Sequence, residues 1–315
     1  MQRIVITEFM DLPAVEDLKR DFDVLYDPDL WNRRDALTAA AEGADALIVR
    51  NRTQVDAALM DRAAKLKIIG RLGVGLDNID TRHAKAKGIA VAPAIGANAV
   101  SVAEYVVGTA LVLLRGAYFS TAKLVAGEWP REVLGKGREA AGTVFGIVGF
   151  GSIGQIVGDK ARALGFHVVA SDDYLPASNP AWSGVERLGL DALVERADVI
   201  SLHCPLTDET RGLFGRERLS RMKRGAVLIN TARGGVVDEP VLADVLRSGH
   251  LGGAAVDVFD REPIDGATGA LFAGLANVIL TPHIAGVTAE ANSRISTITA
   301  ENVRRALTST KGGAA

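Results

Sequence analysis

A short apolar run that ends in a glycine-rich turn lies near the middle of the chain and constrains its fold more than any other feature. Residues 144–148 read VFGIV, and Gly149, Gly151 and Gly154 follow in the spacing G-x-G-x-x-G. The first glycine permits a tight turn from strand to helix, the second permits close approach of a pyrophosphate, and the third lets the helix pack on the strand. The segment therefore predicts a strand, a turn and a helix whose amino-terminal end favours phosphates.

An acidic residue after the next apolar run indicates which molecule the turn binds. Asp172 comes 18 residues after Gly154, directly behind the run at 167–171. A carboxylate at this position accepts hydrogen bonds from the ribose hydroxyls of NAD and repels the 2′-phosphate of NADP. Residues 173–175 contain no Arg or Lys that could bind such a phosphate. The strand, the spacing and the acid together favour an NAD site over an ordinary glycine-rich turn.

The length and composition favour a globular protein of two domains. The chain has 315 residues, of which 48% are hydrophobic and 23% are charged, and its formal net charge is −2. This length exceeds what one hydrophobic core usually serves. The small net charge gives no reason to expect a nucleic acid or an anionic membrane as a partner. We therefore expect local cations to hold any small acidic substrate.

Three features favour a cytoplasmic location. Residues 1–7 enter a predicted strand at once and leave no room for a secretory signal. The longest apolar stretch, at 97–114, carries Asn98, Ser101 and Glu104 and is interpreted as a buried helix and not a membrane span. The single cysteine, Cys204, excludes an internal disulfide framework and fits a reducing compartment. Its place in a strand-like run favours a small core residue over a nucleophile.

Apolar runs alternate with segments of helical spacing along the chain. In the first part they predict strands at 4–6, 24–25, 46–49, 67–69 and 89–91, and helices at 15–20, 36–42, 57–64 and 81–87. The alternation begins again at 144–148, and further strands are predicted at 166–170, 198–202, 226–230, 254–258 and 278–280. The pattern predicts an α/β fold with two parallel-sheet domains of Rossmann or flavodoxin type.

The end of the chain suggests how the two domains are connected. The amphipathic stretch 288–307 predicts a terminal helix, and the polar tail 308–315 is expected to fray. We expect the helix to return to the first domain. Residues 1–98 and 287–315 would then form a substrate-binding, catalytic domain, and residues 99–286 the NAD-binding domain. Two crossings would make a hinge over an active-site cleft, at the strand ends where open α/β sheets bind ligands.

Three polar segments that follow late strands contain the predicted chemistry. They hold Arg233, Glu262 and His283, and parallel strands bring such segments to one sheet edge. Histidine can move a proton on or off a substrate oxygen near neutral pH. A carboxylate can orient the imidazole, and a guanidinium can hold a substrate carboxylate by two parallel bonds. Singly, each could be a solvated charge, a turn residue or a satisfied histidine, but together they favour an active site.

Six strings in this order resemble the D-isomer-specific 2-hydroxyacid dehydrogenases, the family that includes phosphoglycerate dehydrogenase, glycerate dehydrogenase and hydroxypyruvate reductase. The strings are GRLGVGLDNID at 70–80, GFGSIG at 149–154, HCPLTDET at 203–210, NTARGG at 230–235, DVFDREP at 257–263 and TPHIAG at 281–286. The similarity extends over nearly the whole chain.

The resemblance implies a role for each motif. Arg233 would bind the carboxylate and carbonyl of a 2-oxo acid, His283 would be the general acid and base, and Glu262 would be its partner. No metal is expected. The implied cofactor-binding residues are Gly149, Gly151, Ser152, Ile153, Gly154, Asp172, Pro205, Thr210, Thr231, Ala232, Arg233, Asp257, His283, Ala285 and Gly286. The resemblance also implies a homodimer joined through the NAD-binding domains, with the apolar helix at 99–115 in the contact.

Two departures from the family pattern narrow the expected activity. The chain stops soon after the predicted terminal helix, so we expect no C-terminal regulatory domain and no feedback by serine through one. Glu262 stands where the formate dehydrogenases of the family differ, which argues against formate as the substrate.

Substrate recognition is expected at two loops of the first domain. The resemblance implies that the loop Leu72, Gly73, Val74 and Gly75 offers backbone N–H groups to the substrate carboxylate. Arg50, Asn51 and Arg52 end the preceding strand, and Arg71 lies near. Two arginines there could recognise a second anionic group, as in 3-phosphoglycerate or 3-sulfolactate. Pairing of these arginines with acidic surface residues is the alternative.

The sequence thus predicts an NAD-dependent oxidoreductase that interconverts a short (R)-2-hydroxy acid and its 2-oxo acid by hydride transfer. Within the same class, the alternatives are a glyoxylate or hydroxypyruvate reductase and an oxidiser of phosphite or phosphonate. An alternative outside the enzymes is a dinucleotide-sensing binding protein, similar to the transcriptional corepressors that share this fold.

Overall fold

The computed structural model describes residues 1–309, which form two compact units. One unit consists of Met1–Asn98 and the chain from Val287 onward, and the other is Ala99–Gly286. Each unit has its own parallel sheet, so the predicted α/β fold with two parallel sheets is confirmed. The predicted fraying at 310–315 lies outside the described residues. Thr308 and Ser309, which were expected to belong to the tail, are still helical.

The first unit is a five-stranded parallel sheet with the strand order β2-β1-β3-β4-β5. Its strands are β1 (Arg3–Ile6), β2 (Asp23–Tyr26), β3 (Ala46–Val49), β4 (Ile68–Arg71) and β5 (Ala90–Pro93). Its helices are α1 (Leu12–Lys19), α2 (Arg34–Glu42), α3 (Ala57–Arg62), α4 (Thr81–Ala86) and α13 (Ala289–Ser309), with a short 3-10 helix at Leu30–Asn32. This order is that of flavodoxin-like sheets, which bind ligands at their carboxyl edge.

Side-chain alternation along β1 explains how the sheet acquires a core on both faces. Ile4 and Ile6 belong to the cluster that contains residues of α1 and α13, whereas Val5 belongs to the cluster on the opposite face. All three side chains are fully buried. Because successive side chains of a strand point to opposite faces, a continuous apolar run is what a sheet covered on both sides requires.

The terminal helix α13 packs directly on the first sheet at a glycine. A Cβ atom added to Gly70 of β4 would lie 2.6 Å from Val303 Cγ2 and 3.0 Å from Thr299 Cγ2. Val303 is fully buried in the same cluster as Ile4. Glycine at position 70 therefore lets the helix approach the strand closely.

The second unit is a seven-stranded parallel sheet with the order β12-β11-β10-β9-β6-β7-β8. Its strands are β6 (Val144–Val148), β7 (His167–Ser171), β8 (Glu186–Arg187), β9 (Val199–Leu202), β10 (Val227–Asn230), β11 (Gly253–Val256) and β12 (Val278–Leu280). Its helices are α5 (Ala99–Arg115), α6 (Thr121–Val125), α7 (Arg131–Leu134), α8 (Ser152–Ala163), α9 (Leu190–Arg196), α10 (Arg216–Arg221), α11 (Glu239–Arg247) and α12 (Gly266–Leu271), with 3-10 turns at Ala117–Ser120 and Pro180–Trp182. The strand order reverses between β6 and β9, where doubly wound sheets bind dinucleotides.

The predicted strands lie within two residues of the observed ones, with one omission. The edge strand β8 has only two residues, both exposed, so no periodic pattern marks it. The expected buried helix at 97–114 is α5, whose buried side chains pack against those of β6. Within residues 1–309, no single helix is both long and apolar enough to cross a membrane. Helix α5 and the helical segment Ala117–Val125, which are bent by 63° relative to each other, pass that test together, by length and composition alone.

Candidate active site

The three glycines of the turn after β6 differ in what a side chain at each position would meet. Gly149 has φ 89°, and a Cβ there would lie 2.8 Å from the backbone nitrogen of Cys204. A Cβ at Gly154 would lie 2.4 Å from the carbonyl oxygen of Gly149. A Cβ at Gly151, in contrast, would meet no protein atom within 4 Å. The protein's own packing therefore requires Gly149 and Gly154, while Gly151 leaves the turn open to a ligand.

Helix α8 presents an uncapped amino-terminal end at this turn. The helix begins at Ser152, and its N-cap residue Gly151 has no side chain that could accept from the first N–H groups. The helix has 12 residues, so its first amides and its dipole form an ordinary binding position for phosphate. These features fit the dinucleotide that the sequence predicts, and its contacts with Ser152 and Ile153 stay predictions.

Asp172 organises the turn with both of its carboxylate oxygens. One oxygen accepts the N–H of Phe150 at 2.7 Å, and the other accepts the N–H groups of Tyr174 at 2.9 Å and Leu175 at 2.8 Å. The negative charge thus lies directly after β7, where it disfavours a 2′-phosphate. Hydrogen bonding of Asp172 to the ribose stays a prediction.

The loop after β9 holds two more of the expected cofactor residues together. Thr210 Oγ1 donates to the carbonyl oxygen of Pro205 at 2.6 Å and accepts the N–H of Thr207 at 2.7 Å. Cys204 in this loop packs against the core of the unit. Burial raises the pKa of its thiol, so the sulfur is protonated at neutral pH and Cys204 is no activated nucleophile.

The loop after β10 presents Arg233 and is fixed by a residue that the sequence analysis did not single out. Asn230 is buried at the end of β10; its Oδ1 accepts the N–H of Ala232 and its Nδ2 donates to the carbonyl oxygen of Arg233, both at 3.1 Å. Arg233 Nη1 donates to the carbonyl oxygen of Ala232 at 2.7 Å. Thr231 Oγ1 is buried without a hydrogen-bond partner within residues 1–309, which fits a group that bonds to a cofactor.

Glu262 and His283 form a hydrogen-bonded pair. His283 Nδ1 lies 2.7 Å from Glu262 Oε2, and Glu262 Oε1 accepts the N–H of Phe259 at 2.9 Å. Burial acts to raise the pKa of Glu262, but these hydrogen bonds and the charges of His283 and Arg233 outweigh it and lower the pKa. The carboxylate is therefore ionised at neutral pH and accepts from Nδ1–H, which leaves Nε2 as the atom that exchanges a proton with a substrate.

The backbone of His283 is held in an unusual conformation by a second carboxylate. His283 has φ 56°, which costs a residue with a side chain about 1–3 kcal/mol. The buried Asp257 offsets this strain, because its Oδ1 accepts from Thr281 Oγ1 at 2.6 Å and from the N–H of Ile284 at 2.8 Å. Its Oδ2 accepts the N–H of Ala285 at 2.9 Å, ahead of Gly286.

Asp257 thus anchors the histidine loop, a role that the sequence did not reveal. Its predicted contact with the cofactor stays a prediction, as do those of Ala285 and Gly286. Residues 1–309 contain no group of three His, Cys, Asp or Glu side chains placed to hold a metal ion.

In the first unit, one buried carboxylate organises the loop that contains the two candidate arginines. Glu8, which follows β1, is only 3% exposed. Its Oε1 accepts the N–H of Arg50 at 2.8 Å and both the N–H and the hydroxyl of Thr53, at 3.0 and 2.8 Å. Its Oε2 accepts the N–H of Arg52 at 3.0 Å. Glu8 was missed at the sequence level, and its one signal was an acid directly after a buried strand.

The two arginine side chains pack on aromatic rings. The Arg50 guanidinium lies 5.8 Å from the centre of the Phe9 ring, and its Nη2 donates to Asn292 Oδ1 at 2.9 Å. The Arg52 guanidinium lies 4.7 Å from the centre of the Trp31 ring. Within residues 1–309, no Asp or Glu oxygen lies within ion-pair distance of either guanidinium, and the acidic charge that acts on Arg50 is that of the buried Glu8. The structure therefore does not contain the alternative arrangement, in which these arginines pair with acidic surface residues. Asn51, which lies between the two arginines, is exposed.

Only half of the loop after β4 matches the expected backbone donors, because the N–H groups of Leu72 and Gly73 are already used within the protein. Leu72 N–H donates to Val49 and Gly73 N–H to Arg71, both at 2.8 Å, and Gly73 has φ 140°. The N–H groups of Val74 and Gly75 donate to no backbone acceptor in the described part of the chain. They fit the expected recognition of a substrate carboxylate, although that contact stays a prediction.

Comparison with known proteins identifies the family to which the chain belongs. The family model of the D-isomer specific 2-hydroxyacid dehydrogenase NAD binding domain matches residues 107–285. An (S)-sulfolactate dehydrogenase of Chromohalobacter salexigens is 51% identical over 308 residues, which cover 98% of this chain and 99% of that protein. The crystal structure of the TT0316 protein from Thermus thermophilus has a TM-score of 0.88 and 36% identity, covering 98% of this chain and 97% of that one.

The phosphoglycerate dehydrogenases that it matches are longer proteins. The D-3-phosphoglycerate dehydrogenase of Mycobacterium tuberculosis is 44% identical over 274 residues, which cover 87% of this chain but 51% of that protein. The chain thus spans about half the length of this relative and nearly all of the sulfolactate dehydrogenase. The predicted resemblance is confirmed: the chain belongs to the D-isomer specific 2-hydroxyacid dehydrogenase family and is an NAD-dependent oxidoreductase of 2-hydroxy acids.

Proposed function

We propose that the substrate is a short 2-hydroxy acid with a second, strongly acidic group, and that a sulfonate is preferred to a phosphate. The observation that carries this proposal is the pair Arg50 and Arg52, whose guanidinium groups have no carboxylate partner within residues 1–309. A guanidinium forms strong, directional hydrogen bonds with the oxygens of such groups. In this proposal the first unit binds the substrate and the second binds NAD.

The preference for a sulfonate is supported by the similarity to a sulfolactate dehydrogenase and by the backbone donors that Glu8 occupies. Phosphate sites in proteins commonly rely on backbone N–H groups, but those of Arg50, Arg52 and Thr53 donate to Glu8. A second acid group of the substrate is left with side-chain donors, close to a buried negative charge. A phosphate ester carries about −1.5 to −2 charge at pH 7, so Glu8 repels it more strongly than it repels a singly charged sulfonate, although the two guanidinium groups also attract it more strongly. The identity of 51% to an (S)-sulfolactate dehydrogenase supports the same choice.

The stereochemical label of the substrate depends on its substituent. In sulfolactate the carbon that bears sulfur outranks the carboxyl carbon, whereas in lactate and 3-phosphoglycerate the carboxyl carbon ranks higher. The same spatial arrangement is therefore named S in sulfolactate and R in the other two. The arrangement that the sequence predicts as R and an (S)-sulfolactate substrate have the same handedness.

The proposed roles in the reaction divide among three side chains. NAD supplies the acceptor of the hydride in oxidation and, in its reduced form, the donor in reduction. His283 Nε2 takes the hydroxyl proton in oxidation and returns a proton to the carbonyl oxygen in reduction. Glu262 keeps the proton of His283 on Nδ1 and stabilises the imidazolium. Arg233 holds the substrate carboxylate and polarises the carbonyl.

The test is a panel of 2-oxo acids, each supplied with NADH, in which the loss of nicotinamide absorbance measures turnover. Sulfopyruvate, 3-phosphohydroxypyruvate, hydroxypyruvate and glyoxylate are compared on the wild type and on Arg52→Ala. We expect the highest kcat/KM for sulfopyruvate, and a loss in Arg52→Ala of about 10- to 100-fold on the two substrates with a second acid group. Glyoxylate turnover should change little.

Each other outcome favours a named alternative. Equal losses on glyoxylate and sulfopyruvate contradict a site for a second anion. A preference for glyoxylate or hydroxypyruvate in the wild type favours the corresponding reductase. Turnover of phosphite with NAD favours the phosphite oxidiser, and NADH binding without turnover of any substrate favours a dinucleotide-sensing role.

We further propose a cytoplasmic homodimer joined through the second unit. Helix α5 buries most of its apolar side chains in its own unit, but the segment after it does not. Five large hydrophobic side chains in that segment are 46% to 85% exposed: Tyr118, Leu124, Val125, Trp129 and Val133. Such a patch is typical of a protein interface. Sedimentation should give a dimer for the wild type and a smaller species for Val125→Asp; a monomeric wild type contradicts the proposal.

A further inference from the structure

Three loops meet at the carboxyl edge of the first sheet. Two of them each supply an aromatic ring, and each ring lies beneath an arginine of the loop that follows β3. Phe9 follows β1 and Trp31 follows β2, while Arg50 and Arg52 follow β3. Of the two pairs, Trp31 and Arg52 are the closer, with 4.7 Å from the guanidinium carbon to the ring centre. That distance is within the range of a cation–π interaction.

Trp31 is carried by a backbone segment that is anchored to the core of the first unit. It lies in the short 3-10 helix Leu30–Asn32, which the buried side chain of Leu30 ties to the core. The backbone N–H of Trp31 donates to the carbonyl oxygen of Thr7 at 3.3 Å. The backbone that carries the indole is therefore tied to Thr7, the residue before Glu8, which anchors the arginine loop.

Arg52 is held at both of its ends. Its backbone N–H donates to Glu8, and its guanidinium lies over the indole of Trp31. Stacking uses the flat face of the guanidinium and leaves the five N–H donors in its plane available. The otherwise flexible side chain is thus restricted while its hydrogen-bonding edge stays open, which lowers the entropy lost when an anion binds.

We propose that Trp31 is a specificity-determining residue for substrates with a second acid group, and that it acts by positioning Arg52. This inference rests on the proposed function. In this inference Trp31 acts through Arg52 and not on the reacting atoms, so its effect should be confined to the part of the substrate that glyoxylate lacks. A platform that merely stabilised the loop would affect all substrates alike.

The experiment compares Trp31→Leu and Trp31→Phe in the wild type and in Arg52→Ala, with sulfopyruvate and glyoxylate. We expect Trp31→Leu to raise KM for sulfopyruvate about 5-fold with little change in kcat, and to leave glyoxylate kinetics unchanged. Trp31→Phe keeps a ring and should retain most of the wild-type KM. In Arg52→Ala the same substitutions should have no further effect.

A matched control exists in the second unit, where the Arg187 guanidinium lies 5.4 Å from the centre of the Trp182 ring. Trp182 also stacks on Phe150 of the glycine-rich turn, so Trp182→Leu should affect both substrates alike and leave the ratio of sulfopyruvate to glyoxylate efficiency unchanged. Thermal melts of all variants show whether each is folded.

The outcomes separate the inference from the proposed function. If Arg52→Ala is selective for sulfopyruvate but Trp31→Leu is not, the role of Trp31 is wrong and the proposed function stands. Equal losses of Trp31→Leu on both substrates, or the same loss in the Arg52→Ala background, also overturn it. If Arg52→Ala itself shows no selectivity, the proposed function fails and the inference fails with it.

Discussion

Glu262 and His283 are joined by a hydrogen bond of 2.7 Å between Oε2 and Nδ1, and the second oxygen of Glu262 is occupied by the N–H of Phe259. The carboxylate is therefore held by the backbone of its own loop while it orients the imidazole. This fixes the direction from which a proton can leave the ring, since only Nε2 remains for the substrate.

Replacing His283 by alanine should remove proton transfer and leave cofactor binding nearly intact. We expect kcat to fall by about 100- to 10,000-fold, because a positioned acid or base contributes about that much. The dissociation constant of NADH, measured by fluorescence titration, should change less than about 3-fold if the imidazole acts mainly in the chemical step. Wild-type turnover in this variant would falsify the assignment of His283.

Glu262→Gln should make stability less dependent on pH in the acid range. The pKa of Glu262 is lowered in the fold, so its ionised form stabilises the native state above the ordinary value of 4.5, and this contribution is lost as pH falls through the lowered pKa. The difference in Tm between the wild type and Glu262→Gln should therefore be largest near pH 6 and shrink below pH 4.5. A constant difference across this range contradicts the lowered pKa.

His203 should contribute a second pH dependence with a different window. Burial lowers the pKa of its imidazole from 6.5 to about 3, and Nε2 lies 3.0 Å from Ser201 Oγ. The unfolded chain binds a proton below pH 6.5 that the folded chain does not, so stability falls with decreasing pH from 6.5 toward about 3. Urea unfolding should show a slope of up to about 1.4 kcal/mol per pH unit from this group.

The matched variants for this test are His203→Gln and His167→Gln. His203→Gln should flatten the slope, whereas His167→Gln changes a histidine at the surface, beside Glu186. Equal slopes in the wild type and His203→Gln would show that the buried imidazole does not titrate as inferred.

Glu8→Ala should destabilise the first unit. The substitution leaves three backbone N–H groups without their acceptor, those of Arg50, Arg52 and Thr53. Each unsatisfied buried group costs about 1–3 kcal/mol, and partial access of water reduces the sum to about 2–4 kcal/mol. Urea unfolding measures this loss, and Glu8→Gln, which keeps one acceptor oxygen, should lose less. Unchanged stability in Glu8→Ala contradicts the anchoring role.

Gly151→Ala and Gly154→Ala should separate cofactor binding from folding. The added methyl group of Gly151→Ala meets no protein atom within 4 Å, so we expect normal stability but NADH affinity weaker by about 10-fold. In Gly154→Ala the methyl group would lie 2.4 Å from the Gly149 carbonyl oxygen, so stability itself should fall. Tight NADH binding by Gly151→Ala would mean that the cofactor does not approach this face of the turn.

The sheets and the His283–Glu262 pair were predictable because both follow from local patterns. Apolar runs mark the strands, and neighbouring parallel strands β11 and β12 bring the segments behind them to one edge. The carboxylates of Glu8 and Asp257 act differently, on loops more than 20 residues away along the chain. A single acid after a strand does not reveal which distant backbone it binds, so their anchoring roles required the structure.

The packing of α13 against Gly70 has a consequence for the order in which the chain acquires its structure. Helix α13 consists of the 21 residues Ala289–Ser309, and its apolar side chains complete one face of the sheet formed by residues 3–93. During synthesis, α1 covers only part of this face until α13 emerges behind the whole second unit. A fragment that ends at residue 98 therefore lacks a layer of its own core.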